Sequence, residues 1–284
     1  MLALIKAGPE ALREVARLAE HHSGDRSLWL PLGELEFLSP VPVPEQIRDA
    51  SMFPQHIRNA AAGMRRIRTA RAGRSATDDE AGSRPDVPEA FRRQPIFYFQ
   101  NRFNVVGHDA TVTWPAASEV MDFELEFGVF IGRDGRDIPR ERAREHVFGY
   151  AIYNDFSARD VQADEMEAGF GPAKAKSFAG ANAIGPWIVT SDDIPDPAAL
   201  EASVSVNGEL WGRSDSAGML HDLDSIIAYL SRDEMLKAGE FIGLGTMGQG
   251  CGLELGRYLQ HGDVVELYVE RIGRLRNRVL RGGA

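Results

Sequence analysis

The segment Met121-Asp122-Phe123-Glu124-Leu125-Glu126-Phe127-Gly128-Val129-Phe130-Ile131-Gly132 constrains this chain more than any other. Apolar Phe123, Leu125 and Phe127 alternate with Asp122, Glu124 and Glu126, which is the period of a strand. That period sets Glu124 and Glu126 on one face, beside a stretch that turns wholly apolar at Val129-Phe130-Ile131. Two like charges so placed repel each other unless a cation lies between them. Two readings are open at this point. The carboxylates are the solvated side of an amphipathic strand, or they are ligands for a hard divalent ion such as Mg²⁺ or Ca²⁺, which takes oxygen donors.

The bulk of the chain narrows the setting. Its 284 residues suffice for one large β-rich domain with an N-terminal extension, or for two smaller domains. Hydrophobic residues make up 43% and charged residues 26%, an ordinary globular composition. A net charge of −10 argues against nucleic acid as a partner, though it leaves room for a local basic pocket. Cys251 is the only cysteine, so no intrachain disulfide can form, which fits a reducing compartment. It reads as a small packed residue in preference to a thiol nucleophile. No apolar run is long enough to span a bilayer, and Met1-Leu2-Ala3-Leu4-Ile5-Lys6 is too short and too soon charged for a secretory signal. A cytoplasmic protein with no membrane partner is expected.

Along the chain, Leu12, Val15, Ala16 and Leu18 recur at helical spacing, so a short helix is predicted over 9–22, opened by Pro9. The prolines of 28–44 predict an extended lead-in and no central strand. Residues 45–71 predict a helix, interrupted or kinked at Pro54 and carrying a basic run of Arg58, Arg65, Arg66, Arg68 and Arg71. That run is a solvated face, or an attractor for an anion. Residues 72–90 predict a mobile loop, a lid or a mere insertion. From residue 95 the texture is β: strands are predicted at Pro95–Phe99, Asn104–Gly107, Gly149–Tyr153, Pro186–Val189, Ala202–Glu209, Phe241–Gly243 and Asp263–Val269, with a hairpin turn signal at Asn207-Gly208. Ser225–Leu230 fits a helix. Many strands with few long helices predict a mixed or antiparallel β architecture, without alternating βα units.

A second dense stretch is Asn154-Asp155-Phe156-Ser157-Ala158-Arg159-Asp160-Val161-Gln162. Ser157 with Asp160 has the spacing of a capping box. Either Asp155 and Ser157 cap a helix, or Asp155 is a third carboxylate ligand with Arg159 and Gln162 facing a substrate. Lys176-Ser177-Phe178 and Gly185-Pro186-Trp187 follow, then Gly243-Leu244-Gly245-Thr246 and Gly262-Asp263-Val264-Val265-Glu266 before Ile272-Gly273-Arg274-Leu275-Arg276-Asn277. In this order, over about residues 95–279, these segments and Asp122-Phe123-Glu124-Leu125-Glu126 resemble the signature of the fumarylacetoacetate hydrolase family.

The resemblance implies an α+β, mostly β fold: a mixed β-roll or β-sandwich catalytic core over 95–284, behind an N-terminal region (1–71) and a loop or linker (72–94). It implies a divalent metal, Mg²⁺ or else Ca²⁺ or Mn²⁺, held by Glu124, Glu126 and Asp155. Asp49, seven residues before His56, has the spacing of a further ligand ahead of the catalytic histidine. Glu254 stands in the setting of that histidine's glutamate partner. Arg159, Gln162 and Lys176 match the residues that polarise substrate and stabilise an oxyanion, and Tyr98 and Thr246 match substrate contacts. Gln100 departs from the lysine of many small acylpyruvase-like members. The implied activity is hydrolysis of a C–C bond in a β-diketo or 2-oxo acid by a homodimer. The alternatives on the same scaffold are a decarboxylase, an isomerase, tautomerase or hydratase of 2-oxo acids, and a non-catalytic metabolite-binding relative.

Overall fold

The computed structural model describes residues 1–74 and 86–282. Most of the predicted 72–90 loop therefore lies outside the described residues, and its far end is a short helix, α3 (Glu89–Arg93), where a loop was expected.

Two sheets carry the fold. The larger has seven strands, and five of them run side by side in the order β2 (Phe97–Gln100), β1 (Ile47–Ala50), β14 (Phe241–Gly243), β6 (Leu125–Ile131) and β8 (Val147–Asp155). β10 (Asn182–Thr190) and β3 (Val105–Val106) complete it. The second sheet has five strands: β12 (Glu209–Asp215), β11 (Glu201–Val206), β15 (Val264–Val269), β16 (Gly273–Arg281) and β4 (Thr111–Trp114). Short pairs add β5 (Met121–Asp122) with β9 (Ser157–Ala158), and β7 (Gly135–Arg136) with β13 (Met235–Leu236). One continuous apolar core includes Phe123, Leu125 and Phe127 from the opening segment, Ile152 from β8, and Val204, Val265 and Leu275 from the second sheet. The expected mostly-β architecture is present, and β1 from the N-terminal region is an inner strand of its large sheet.

The helix expected across 45–71 is corrected. Ile47–Ala50 is a strand, parallel to β14 and antiparallel to β2, with all four residues buried. Burial between two strands outranks a short apolar spacing that a helix could also satisfy. Pro54 then opens α2 (Pro54–Arg71) at its first turn, where a missing N–H costs nothing, so it starts this helix and does not kink it. Asp49 is thus a strand residue and His56 a helix residue. The 9–22 helix is the second part of α1 (Leu2–His21), which is broken at Gly8, φ +82°, just before Pro9.

The basic run on α2 is in part a set of ties between helices. Arg66 Nη2 donates to the Leu253 carbonyl at 2.9 Å, and Arg68 Nη2 donates to the Ala163 carbonyl at 3.2 Å. Arg71 Nη1 donates to the Asp160 carbonyl at 2.8 Å and pairs with Asp164. The capping box at Ser157 does not form. The helix α4 (Arg159–Glu167) begins after Ala158 without a side-chain cap, Ser157 Oγ donates to the Asp155 carbonyl, and the Asp160 carboxylate accepts from Ser118 and the Glu119 N–H. At Asn207-Gly208 both residues have positive φ, as the tight turn between β11 and β12 requires. Among the described residues no helix is long and apolar enough to cross a membrane.

Candidate functional site

The site is built on one face of the large sheet, across its five consecutive strands. Asp49 comes from β1, Tyr98 and Gln100 from β2, Glu126 from β6 and Asp155 from the end of β8. Glu124 sits just before β6, bridged to Cys251 through the backbone. Gly243 on β14 pairs with Asp49, and a Cβ there would stand 2.4 Å from Asp49 Oδ1. The sheet face is therefore open to the Asp49 carboxyl only because position 243 has no side chain.

Asp49, Glu124, Glu126 and Asp155 converge, with one oxygen of each lying within 4.8 Å of the others. None of them is on a solvated face: Glu124 is 4% exposed and Glu126 1%. That burial rules out the solvated reading of the opening strand. Counting Asp122, five buried carboxyl groups face two buried cations, Arg159 and Lys176. Lys176 Nζ pairs with Glu124 Oε2 at 2.7 Å and Asp155 Oδ2 at 2.5 Å. Burial works against the Lys176 charge, but Asp155 and Glu124 hold its pKa above the ordinary value. Burial likewise tends to raise Glu124, yet Lys176 and Arg159 hold it far below the usual carboxylate range.

The excess negative charge falls on the other members. Burial, then the neighbouring Asp155, pushes Asp49 up to about 8. Burial with Asp49, Glu124 and Asp155 pushes Glu126 well above its ordinary value, and burial raises Asp155. Two buried oxygens, Asp49 Oδ1 and Glu126 Oε2, have no hydrogen-bond partner among the described residues. The Tyr98 hydroxyl stands 2.6 Å from Asp49 Oδ2 and 2.8 Å from Asp155 Oδ2, yet it has a single proton to donate. Orphaned oxygens, carboxyls raised by their neighbours and one hydroxyl shared between two acids all describe a site short of positive charge. A hard divalent cation with oxygen ligands fits this donor set.

Beside the acids lies a second group. His56 Nδ1 is 2.8 Å from Glu254 Oε1. Glu254 Oε2 is fixed by Asn59 Nδ2 at 2.9 Å and by the Gln249 N–H at 3.0 Å. Burial tends to raise Glu254, but the contacts with His56 hold it below its ordinary value, so the glutamate is ionised and Nδ1 is the donor. His56 Nε2 is then the basic nitrogen.

All the sequence-predicted residues reach this one neighbourhood, though not all with the expected partners. Thr246 Oγ1 donates to Glu126 Oε1 at 3.0 Å. Gln162 Oε1 accepts from Arg159 Nη1 at 2.9 Å. Arg159 is held by protein groups on three sides. Its Nε bonds Asp122, its Nη1 bonds Gln162, and its Nη2 stands 2.7 Å from Glu124 Oε1 as an ion pair angled outside a hydrogen bond. It positions Glu124.

Matches to known proteins agree with this geometry. The model of the fumarylacetoacetate (FAA) hydrolase C-terminal domain matches residues 55–280. This chain belongs to the fumarylacetoacetate hydrolase family. Within it, the chain is 33% identical to the oxaloacetate tautomerase YisK of Bacillus subtilis over 202 residues, 70% of this chain and 64% of that protein. The fumarylacetoacetate hydrolase of Exiguobacterium antarcticum superposes with a TM-score of 0.67 at 31% identity, covering 86% of this chain and 78% of that one. The 5-carboxymethyl-2-hydroxymuconate delta-isomerase of Mycobacterium smegmatis gives 0.67 at 26% identity, over 89% and 83%. The family is enzymatic, with hydrolase, isomerase and tautomerase members.

The roles of two residues of this family member, Asp122 and Asn59, escaped sequence reading. Asp122 accepts from Arg159 Nε at 2.7 Å and from the N–H groups of Gly252 and Leu253 at 2.7 and 2.8 Å. It thereby holds the start of α5 (Gly252–Leu255), the short helix that carries Glu254. Asn59, one turn after His56 on α2, orients the same glutamate, and that i+3 spacing was the one signal available. Gln100 Nε2 donates to Asp155 Oδ1 at 2.9 Å, which places the departure at position 100 against a carboxylate of the acidic cluster.

Proposed function

We propose that this protein is a divalent-metal-dependent hydrolase that cleaves a C–C bond in a β-diketo or 2-oxo acid. The observation that carries the reading is the His56–Glu254 pair at 2.8 Å, set beside four converging carboxyls of which two keep an unpartnered oxygen. Asp49, Glu124, Glu126 and Asp155 would hold the ion, Mg²⁺ in the first instance with Ca²⁺ or Mn²⁺ as substitutes. The ion, when bound, supplies a Lewis acid for two substrate oxygens and for the negative charge that develops as the C–C bond breaks.

The chain's own groups do the rest. Glu254 keeps the proton on Nδ1 of His56, so Nε2 removes a proton from water as the oxygen attacks the distal carbonyl. Lys176 has three N–H donors, two of them taken by Glu124 and Asp155, and the third is available to the developing oxyanion. Gln162 spends its carbonyl on Arg159, which leaves its amide N–H groups for the substrate carboxylate. Breaking the C–C bond returns the proton to the departing carbon, and the products are a carboxylic acid and a 2-oxo acid. The substrate is a small molecule and the working unit a homodimer.

A second reading is supported by the 33% identity to an oxaloacetate tautomerase. In it the same dyad moves a proton between carbon and oxygen, breaking a C–H bond as an O–H bond forms or the reverse, and no C–C bond is cut. The experiment offers acylpyruvates and oxaloacetate to the Mg²⁺-loaded protein, following enol absorbance and released acid together. Cleavage with one solvent oxygen in the released acid is the expected result. Loss of enol without any cleavage product selects the tautomerase, and no change in either substrate removes both readings.

A further inference from the structure

Cys251 takes no part in the chemistry above, yet it is wholly buried against the dyad. Its Sγ lies 3.8 Å from His56 Nδ1 and 3.7 Å from Glu254 Oε1. With the 2.8 Å edge between His56 and Glu254, these three atoms form a closed triangle. Zinc–ligand bonds of about 2.0–2.3 Å at tetrahedral angles demand edges of about 3.3–3.6 Å. Two edges are already near that size, and the third opens once the hydrogen bond it represents is replaced by two metal bonds.

The donor set is selective. A thiolate, an imidazole and one carboxylate oxygen suit a borderline-soft ion such as Zn²⁺, whereas the all-oxygen cluster nearby suits a hard one. Glu254 is anchored through Oε2 by Asn59 and the Gln249 N–H, so Oε1 is held toward the triangle by a ready outer shell.

We propose that His56 Nδ1, Cys251 Sγ and Glu254 Oε1 form a second metal site, for Zn²⁺ or a similar soft divalent ion, whose occupancy switches the dyad off. The metal takes the Nδ1 lone pair and the thiol proton leaves to solvent. Neutral imidazole then carries its hydrogen on Nε2, so Nε2 can no longer accept one. The inhibition rests on the proposed role of His56 as base, but binding does not.

Co²⁺ is the probe, added to EDTA-stripped protein already saturated with Mg²⁺ so that the oxygen site is filled. The expected result is a sulfur-to-cobalt charge-transfer absorbance that is absent in Cys251→Ser and in His56→Ala, with folding checked by circular dichroism. In parallel, Zn²⁺ inhibits the wild type, while Cys251→Ser keeps its basal turnover and needs at least about tenfold more Zn²⁺, the lower end of what losing even an outer-shell partner costs. No charge-transfer band in the wild type, or an equal band in Cys251→Ser, overturns the site. A band without any inhibition upholds the site and contradicts the base role of His56.

Discussion

Asp122 Oδ2 accepts from Arg159 Nε at 2.7 Å, with both side chains almost fully buried. Through this bond one carboxylate links the two halves of the site. Arg159 reaches on to Glu124 in the acidic cluster, while Asp122 also holds the backbone from which Glu254 projects. Removing one member of a buried ion pair leaves the other charge uncompensated, typically at about 3–5 kcal/mol. Asp122→Ala is expected to lose stability on that scale in urea denaturation, and the folded fraction to lose turnover because Glu254 is no longer held.

Glu254→Gln removes the charge that keeps the proton on His56 Nδ1 while preserving the shape of the side chain. Turnover is expected to fall by about 10²–10⁴, the usual range for a positioned acid or base. The affinity for Mg²⁺ stays as in the wild type, since Glu254 is not among the four converging carboxyls that would take this hard ion. Steady-state kinetics with a parallel metal titration check both halves of this expectation.

Gly243→Ala tests the cradle without replacing any of the four converging carboxyls. The added Cβ would lie 2.4 Å from Asp49 Oδ1 and 3.1 Å from the Tyr153 ring, so the Asp49 carboxyl must move. Metal affinity is expected to drop by about 10–100-fold, as for loss of an outer-shell partner, with the ion count per chain unchanged in a calorimetric titration.

The acidic cluster also sets a pH dependence. Asp49 stands at about 8 in the folded metal-free chain, against an ordinary 3.8. The folded state thus keeps a proton that the unfolded state has already released. Metal-free stability is fully present below the ordinary value and is lost as pH rises through about 8. A cation must displace that proton, so its affinity rises with pH across the same window, by up to about tenfold per unit for each proton displaced. Thermal melts with and without Mg²⁺ from pH 5 to 9 check the sign: the metal-free curve falls and the metal-loaded curve flattens.

Much of the site was legible because its carboxylates sit at strand spacing and in a family order. Glu124 and Glu126 announce a strand, and their burial was the fact the alternation could not supply. Asp49 read as helical because four residues, Ile47–Ala50, are too short for periodicity to separate strand from helix, and only pairing with β14 and β2 decides it. Arg159 matched a substrate-binding position, but three protein acceptors surround it. The roles of Asp122 and Cys251 lie in contacts that span most of the chain, such as Asp122 to Gly252 and Cys251 to His56, and local pattern carries no trace of those.

Four buried carboxyls, Asp49, Glu124, Glu126 and Asp155, would hold one divalent cation. Calorimetric titration of EDTA-stripped wild type and Glu126→Ala with Mg²⁺ or Mn²⁺ tests it most directly. A single ion per chain in the wild type, with affinity lost by at least about 100-fold in the variant, is the predicted result. Undiminished binding by Glu126→Ala would contradict the metal site, and with it the chemistry assigned to this chain.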